Sequence, residues 1–365
     1  MRHCLLVTLE YPPFHGGIAH YYGHLVKNWP DLGTMAVLNN NNYQLQAKSG
    51  FWPWRRAFST IGQAIRRSGI NFVLVGQILP LGTVVWLLSY VLPIKYGVFV
   101  HGMDWGMAVS RPRKRWLAQR VMHRAATVIA GNSYVAGLVQ QAVPGVASRL
   151  IIINPGLDKA EPPIIAKDYL VALRQRYDLN NCQILLTVGR LVERKGVDRV
   201  LAAMPELVVK YPNLRYIIIG QGPYLEYCRQ LVKQLAIDSA VIFITTADDQ
   251  ERAAWYQLAD VFIMPSRQIG GDFEGFGIVY LEANCASKPV IAGRSGGVGD
   301  AVVDGLNGLL VNPESIAEIV TAVNRLLSDQ ALRHRLGQAG QQRLVDFLWP
   351  ALATKLSRFI NKICS

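Results

Sequence analysis

The sequence predicts an α/β protein with two consecutive doubly wound parallel sheets. Both halves of the 365-residue chain alternate short apolar runs with helix-length amphipathic segments, which is the pattern of parallel sheets covered by helices. Apolar residues make up 51% of the chain and charged residues 17%, which excludes a disordered protein. Each half is long enough to bury its own core, and ligands of such sheets bind beyond the carboxyl ends of the strands.

Short apolar runs predict six strands in each half. In the first half they are Leu5–Leu9, Thr34–Leu38, Phe72–Val75, Gly97–Val100, Thr127–Ala130 and Leu150–Ile153. In the second half they are Ile184–Val188, Leu214–Ile219, Val241–Thr245, Val261–Met264, Val290–Ala292 and Leu309–Val311. Helices fill the intervals, for example Val197–Tyr211, Leu225–Leu235 and Ser315–Leu327. The boundary is expected after Asn154-Pro-Gly-Leu-Asp158, which gives domains of residues 1–160 and 161–346.

One long apolar stretch raises the question of a membrane span. Between Val73 and Val100 only Lys95 is charged, as in a transmembrane helix. Pro80 and Pro93 divide the stretch, however, into a strand, a buried helix over Leu81–Leu92 and a further strand. We therefore expect no membrane span.

Cysteine usage and the first residues bear on the compartment. The five cysteines are scattered without a Cys-x-x-Cys pair, which predicts free thiols in a reducing compartment and argues against a zinc site. The first apolar run begins at Cys4 and is too short for the core of a signal peptide. A cytoplasmic protein is expected.

The positive charge is concentrated in the first half. Residues 1–150 contain 15 Lys or Arg and three acidic residues, whereas the remainder contains 23 basic and 22 acidic residues. Almost all of the net charge of +13 therefore belongs to the first half. Such a field attracts nucleic acid, acidic glycans or an anionic membrane, although a generally basic surface would have the same count.

Two segments of the second half carry charges where a ligand is expected. Gly189-Arg-Leu-Val-Glu-Arg-Lys-Gly196 follows a strand and holds Arg190 and Lys195, which can bind phosphate oxygens. Glu274-Gly-Phe-Gly-Ile-Val-Tyr-Leu-Glu282 has two carboxylates on either side of a small-residue turn that opens a helix. Carboxylates accept hydrogen bonds from hydroxyls, whereas a diphosphate needs cations and free amides. A sugar nucleotide offers both kinds of group.

Together these segments resemble the donor site of the retaining glycosyltransferases of family 4, which have the GT-B fold. The resemblance is closest from about Gly189 to Val311. It implies two Rossmann-like domains facing across a cleft, with a C-terminal helix in residues 347–365 that crosses back to the first domain. By the same resemblance Arg190 and Lys195 bind the donor diphosphate and stabilise the leaving nucleotide.

The resemblance also assigns the turn and the two glutamates. The amides of Gly277, Ile278 and Val279 would face the phosphates at the start of a helix. Glu282 would accept from the ribose hydroxyls. Glu274 would hold a sugar hydroxyl and favour positive charge developing at the anomeric carbon.

In the first domain the resemblance points to two strand ends. Gly16 and Gly17 lie in a loop after the first strand, where glycines let the backbone approach a donor phosphate or an acceptor closely. His101 follows the strand Gly97–Val100 and corresponds to a histidine that contacts the donor sugar. Asp104 receives no role.

The donor and the mechanism follow from the family pattern. Residues 270–297 look most like the phosphatidylinositol-mannoside mannosyltransferases, which use GDP-mannose. No Asp-x-Asp motif occurs, so no metal is expected, nor is another cofactor. The resemblance implies that the configuration at the anomeric carbon is retained. A soluble glucosyltransferase using UDP- or ADP-glucose remains an alternative, because the two glutamates bind hydroxyls that all such donors share.

The acceptor is predicted from the basic half. A helical wheel of residues 55–67 has one apolar face and an opposite basic face, comprising Phe58, Ile61 and Ile65 against Arg55, Arg56, Arg66 and Arg67. Phe51-Trp-Pro-Trp54 precedes it, and Arg111–Trp116 is a second basic cluster. These features favour a lipid-linked or glycan acceptor and peripheral contact with the anionic inner face of a membrane. A core-facing helix with a solvated basic side is equally consistent with each segment alone. A basic nucleotide- or nucleic-acid-binding protein is a non-enzyme alternative, but the absence of a recognised module argues against nucleic acid.

Overall fold

The chain divides into two compact units. The structure, a computed structural model, describes residues 4–14, 16–30, 35–46 and 54–364, without the side chains of Met103 and Cys364. One unit comprises Met1–Asp158 and Asp346–Ser365, and the other comprises Lys159–Val345. The segment after residue 345 therefore belongs to the first unit.

The first unit contains a six-stranded parallel sheet of order β2-β1-β3-β4-β5-β6. Its strands are β1 (Cys4–Val7), β2 (Met35–Leu38), β3 (Phe72–Val75), β4 (Lys95–Val100), β5 (Thr127–Ala130) and β6 (Leu150–Ile152). Its first six helices are α1 (Gly17–Lys27), α2 (Arg55–Ser68), α3 (Leu81–Leu88), α4 (Met103–Val109), α5 (Pro112–Arg124) and α6 (Ser133–Ala142). All six predicted strands are confirmed to within two residues at their ends, and Thr34 lies outside the described residues.

The second unit contains another six-stranded parallel sheet, of order β12-β11-β10-β7-β8-β9. Its strands are β7 (Gln183–Val188), β8 (Leu214–Ile219), β9 (Val241–Ile244), β10 (Val261–Met264), β11 (Val290–Gly293) and β12 (Gly308–Val311). Its helices are α7 (Lys167–Arg176), α8 (Val197–Lys210), α9 (Leu225–Gln234), α10 (Asp249–Leu258), α11 (Ile278–Cys285), α12 (Val298–Ala301), α13 (Ile316–Ser328) and α14 (Gln330–Arg343). The predicted strands of this unit are confirmed too. They could be predicted because strands buried on both faces appear in a sequence as continuous apolar runs.

The last helix, α15 (Trp349–Cys364), packs in the core of the first unit. Its buried residues recur at helical spacing, as Trp349, Leu352, Ala353, Leu356 and Ile360. The Trp349 ring meets the edge of Tyr21 on α1 with centroids 5.1 Å apart. The helix begins two residues into the predicted range 347–365, and Pro350 in its first turn costs no helical hydrogen bond.

The apolar stretch around Pro80 and Pro93 is divided as expected. Strand β3, helix α3 and strand β4 account for it, although α3 ends at Leu88 and not at the predicted Leu92. No helix among the described residues combines the length and the apolar composition needed to cross a membrane.

Candidate active site

The segment Gly189–Gly196 forms a tight turn beyond the carboxyl end of β7, called here the cationic turn. A single 3₁₀ turn over Glu193–Lys195 leads to Gly196, which has φ of 72° and precedes α8. A Cβ at Gly196 would lie 2.2 Å from the carbonyl oxygen of Pro265. Only glycine therefore allows this turn to pack against the chain that leaves β10.

That packing brings the predicted Lys195 and Glu274 together. The Glu274 side chain is 8% exposed, and its Oε2 accepts from Lys195 Nζ at 2.5 Å and from Arg194 Nη1 at 2.8 Å. Arg194 Nε also lies 3.0 Å from Asp272 Oδ2, and Ser266 Oγ donates weakly to Glu274 at 3.4 Å. The result is a buried carboxylate held between two cations, with the strength of charge-assisted hydrogen bonds.

The two arginines of the segment are placed differently. Arg190 is exposed, and no ion pair of a described residue reaches it. Its role at the diphosphate therefore stays a prediction. Arg194, which sequence reasoning missed, takes the place beside Glu274. The one available signal was its position next to Lys195 inside the same glycine-bounded segment.

Another arginine, which is buried, packs against the cationic turn. Arg267 is 3% exposed, and its backbone N–H donates to the Arg194 carbonyl at 2.8 Å. Its Nη2 lies 3.0 Å from Asp198 Oδ2 and 3.3 Å from Glu193 Oε1. Sequence reasoning also missed this residue. Its contacts tie the chain after β10 to both ends of the turn.

The predicted amide cluster is present at the start of α11, with a shifted boundary. The amides of Gly277, Ile278 and Val279 are expected at the start of this helix, but the helix begins at Ile278. Gly277 is its N-cap with φ of 80°, and such a left-handed residue cannot belong to the helix itself. The N–H groups of Ile278 and Val279 have no intrahelical acceptor and lie at the positive end of the helix dipole.

Glu282 lies one turn into α11 and faces Tyr256. The Tyr256 hydroxyl donates to Glu282 Oε2 at 2.7 Å. Burial and the neighbouring carboxylate raise the pKa of Tyr256 well above its usual range, so the phenol stays protonated and remains a donor. This bond orients Glu282 while leaving lone pairs for another hydroxyl.

In the first unit His101 follows β4 in an aromatic environment. Its Nε2 lies 2.7 Å from the Tyr22 hydroxyl, and its ring stacks on Phe99 with centroids 5.8 Å apart. Burial lowers its pKa to about 4, so the ring is neutral at pH 7. Asp104 Oδ1 accepts from the His101 backbone N–H at 2.8 Å, which gives Asp104 a role in shaping this loop.

The two loop glycines lie at the start of α1. Gly16 is the N-cap with extended backbone, and Gly17 is the first helical residue. A Cβ at Gly16 would lie 3.3 Å from the Phe14 ring, whereas a Cβ at Gly17 would meet no atom within 4 Å. The exposed Phe14 ring would have to move slightly to admit a side chain at Gly16, so this contact is only a weak packing reason for glycine. The structure shows none for Gly17, whose predicted contact with a ligand stays a prediction.

The two basic segments of the first unit differ in what they expose. Ile61 and Ile65 of α2 are buried and the four arginines are exposed, so here the core-facing alternative holds. Residues 51–53 lie outside the described residues. In the second cluster Trp116 is 53% exposed and lies under the Arg120 guanidinium, 5.3 Å from the ring centroid. Among the described residues of the two segments, the second cluster is the one that presents a largely exposed aromatic side chain together with its cations.

A metal ion would need several His, Cys, Asp or Glu side chains close together in the described part of the chain. No group of three or more His, Cys, Asp or Glu there is arranged to hold a metal ion. In the candidate site Arg194 and Lys195 share the carboxylate of Glu274.

Comparisons with known proteins agree with this geometry. Residues 173–343 match the family described as glycosyl transferases group 1. A GDP-mannose-dependent alpha-(1-6)-phosphatidylinositol monomannoside mannosyltransferase of Mycolicibacterium smegmatis is 31% identical, over 98% of both chains. A glycogen synthase of Mycobacterium tuberculosis is 32% identical over 58% of this chain and 48% of its own.

Solved structures are similar over nearly the whole chain. HepE of Anabaena, crystallised with UDP, has a TM-score of 0.79 at 17% identity and covers 99% of this chain and 100% of its own. Sucrose-phosphate synthase from Thermosynechococcus elongatus has a TM-score of 0.72 at 20% identity and covers 99% of both chains. At these identities the likeness concerns the fold.

Proposed function

The chain belongs to the group 1 glycosyltransferases with the GT-B fold, and on that premise we propose that it transfers an α-mannosyl residue from GDP-mannose to a hydroxyl of a lipid-linked or glycan acceptor. The observation that carries the reaction type is the buried Glu274 between Lys195 and Arg194, at the carboxyl edge of the second sheet. The donor is supported by the mannosyltransferase likeness, which covers 98% of both chains.

In the proposed reaction the second unit binds the nucleotide sugar. Lys195 has further N–H donors for the diphosphate, and the first amides of α11 add to them. The bond between the anomeric carbon and the phosphate oxygen breaks, and the electron pair leaves with the phosphate. The acceptor oxygen forms its bond on the same face, and its proton passes to the departing phosphate. The configuration is therefore retained.

Glu274 has a defined task in this proposal. Its negative charge favours the positive charge that develops at the anomeric carbon, and the two cations hold the carboxylate in place. Glu282, oriented by Tyr256, accepts from the ribose hydroxyls. We expect Lys195→Ala to lower turnover more than it weakens acceptor binding; unchanged turnover would remove Lys195 from the site.

We propose that no metal takes part, since Arg194, Lys195 and the α11 N terminus supply the positive charge that a divalent ion would supply. Turnover should then be the same in EDTA and in added Mg²⁺ or Mn²⁺. A loss of turnover in EDTA that Mg²⁺ restores would contradict this point without affecting the assignment of the donor.

The acceptor side of the proposal rests on the basic first half and on the exposed Trp116. We propose that this surface contacts anionic lipid. Sedimentation with anionic vesicles should decrease at high salt and in a double charge reversal, Arg113→Glu with Arg115→Glu. The matched control is Arg229→Glu with Lys233→Glu on α9. Equal binding to neutral and anionic vesicles would contradict membrane contact.

Calorimetric titration with GDP, UDP and ADP, without added metal, tests the donor directly. Binding of GDP alone, lost in Lys195→Ala and kept in the control Lys233→Ala, supports a mannosyl donor. Preference for UDP or ADP supports the second candidate, a glucosyltransferase, which the partial likeness to the glycogen synthase favours. The non-enzyme alternative is set aside, since the chain is a member of a glycosyltransferase family.

A further inference from the structure

Tyr22, on the second turn of α1, joins two groups at the carboxyl edge of the first sheet. Its hydroxyl lies 2.7 Å from the Gly76 carbonyl oxygen and 2.7 Å from His101 Nε2. The side chain is fully buried. A Cβ at Gly76 would lie 3.1 Å from the Tyr22 ring and 2.7 Å from Thr8 Oγ1, so the glycine makes this close approach possible.

The number of protons determines the direction of both hydrogen bonds. A phenol has one proton, and a carbonyl can only accept. Burial, followed by the charge of Asp104, raises the pKa of Tyr22 well above its usual range, so the hydroxyl is protonated. It must donate to Gly76, since otherwise two oxygens would lie 2.7 Å apart without a proton. His101 Nε2 must then be the donor to Tyr22.

The other ring nitrogen of His101 consequently carries a lone pair. Burial keeps the ring neutral, with a pKa of about 4, so only one nitrogen is protonated. Nδ1 faces Gly131, where an added Cβ would lie 3.4 Å away. Within the described ranges, no residue makes a hydrogen bond to Nδ1. Stacking on Phe99 and the edge of Tyr21, 5.0 Å away, hold the ring plane.

We infer that Tyr22 is a positioning residue that holds His101 in the tautomer protonated on Nε2, so that Nδ1 accepts a hydrogen bond from a sugar hydroxyl. The identity of that hydroxyl donor rests on the proposed function, whereas the tautomer does not. In this state Nδ1 can accept but cannot donate, so the site selects a hydroxyl over a carbonyl or phosphate oxygen at this position.

The tautomer can be measured without any substrate. Long-range ¹H–¹⁵N correlation spectra of ¹⁵N-histidine-labelled protein at pH 7 distinguish the two tautomers, and the variant His101→Asn identifies the signal. We expect the Nε2-protonated form in the unaltered protein and in Tyr21→Phe, and a shift towards the Nδ1-protonated form in Tyr22→Phe. An Nδ1-protonated ring in the unaltered protein, or an unchanged spectrum in Tyr22→Phe, would overturn the inference.

Tyr21→Phe is a matched control because Tyr21 is the neighbouring buried phenol of α1, and its hydroxyl donates to the Ile153 carbonyl at 3.0 Å. Each variant thus leaves one buried carbonyl without its donor, but only Tyr22→Phe alters a bond to His101. We expect kcat/KM with GDP-mannose to fall about tenfold in Tyr22→Phe and less than about twofold in Tyr21→Phe. Equal losses would show a merely structural role for Tyr22. If no form turns over GDP-mannose, the proposed donor fails while the spectra still decide the tautomer.

Discussion

Replacing Arg267 with Met is expected to destabilise the second unit and to loosen the cationic turn of the site. Arg267 is 3% exposed and Asp198 is 8% exposed, and their side chains meet at 3.0 Å. Methionine fills much of the space of the arginine stem but removes the charge. The cation that then remains beside Asp198 among the described residues is Arg199, whose Nε lies 3.6 Å away on a side chain that is 35% exposed.

The expected cost is about 3 kcal/mol in the unfolding free energy of the second unit. Removing one partner of a buried ion pair costs roughly 3–5 kcal/mol, because the other charge stays buried without compensation. The remaining Arg199 places the value at the lower end. The contacts of Arg267 with Glu193 and Glu314 add less than about 1 kcal/mol each, since both glutamates are half exposed.

Hydrogen exchange of peptides from β8 at pH 7 reads the stability of this unit alone. Arg294→Met is the matched control, since its ion pair with Glu318 is half exposed and should contribute less than about 1 kcal/mol. Adding Asp198→Leu to Arg267→Met should recover most of the lost unfolding free energy, because the pair then leaves no unpaired charge buried. A loss below about 1 kcal/mol, or strictly additive losses in the double variant, would refute the reasoning.

The remaining predictions concern charge and pH. Arg194→Met should lower kcat/KM roughly 10- to 100-fold, because Glu274 loses a charge-assisted hydrogen bond; turnover unchanged within twofold would contradict this role. Arg190→Met should weaken GDP binding in calorimetry without changing the unfolding free energy, since Arg190 is exposed and unpaired among the described residues; a large loss of stability would contradict it. Burial lowers the pKa of His101 in the folded protein to about 4, against an ordinary value of 6.5. As the pH falls from 6.5 to 4, the unfolded chain therefore takes up a proton that the folded protein does not, and the folded protein loses stability. Burial raises the pKa of Asp104 to about 6, so its protonation adds stability over nearly the same range, and Asp104→Asn should make the first unit clearly less stable at pH 4.5 than at pH 7 by hydrogen exchange.

The twelve strands could be predicted because their signal is local. Most of these strands are largely buried, so their apolar character shows in three to six consecutive residues. Ends shifted by up to two residues, since the last residue of a strand is decided by hydrogen bonds to neighbours that are distant in the chain. The start of α11 is shifted for a related reason: the left-handed backbone of Gly277 keeps this residue out of the helix, which begins one residue later, at Ile278.

Side-chain partners in the site could be predicted only in part. Lys195 and Glu274 were both predicted as site residues. The sequence alone, however, does not distinguish Arg190, Arg194 and Lys195, which are three cations of the same segment. Which of these cations faces a carboxylate some 80 residues away depends on how the turn packs. Arg267 gave no signal at all, because a single arginine after a strand is usually solvated.

The sequence by itself determined the fold class, the two sheets and the segments that line their carboxyl edges, because hydrophobic burial and backbone restrictions act on neighbouring residues. Tertiary structure alone decided that the apolar side of α2 packs inward, that Arg194 pairs with Glu274 and that Tyr22 reaches His101. These contacts join residues far apart in the chain. Their geometry is decided by tertiary packing, about which a local sequence pattern carries no information.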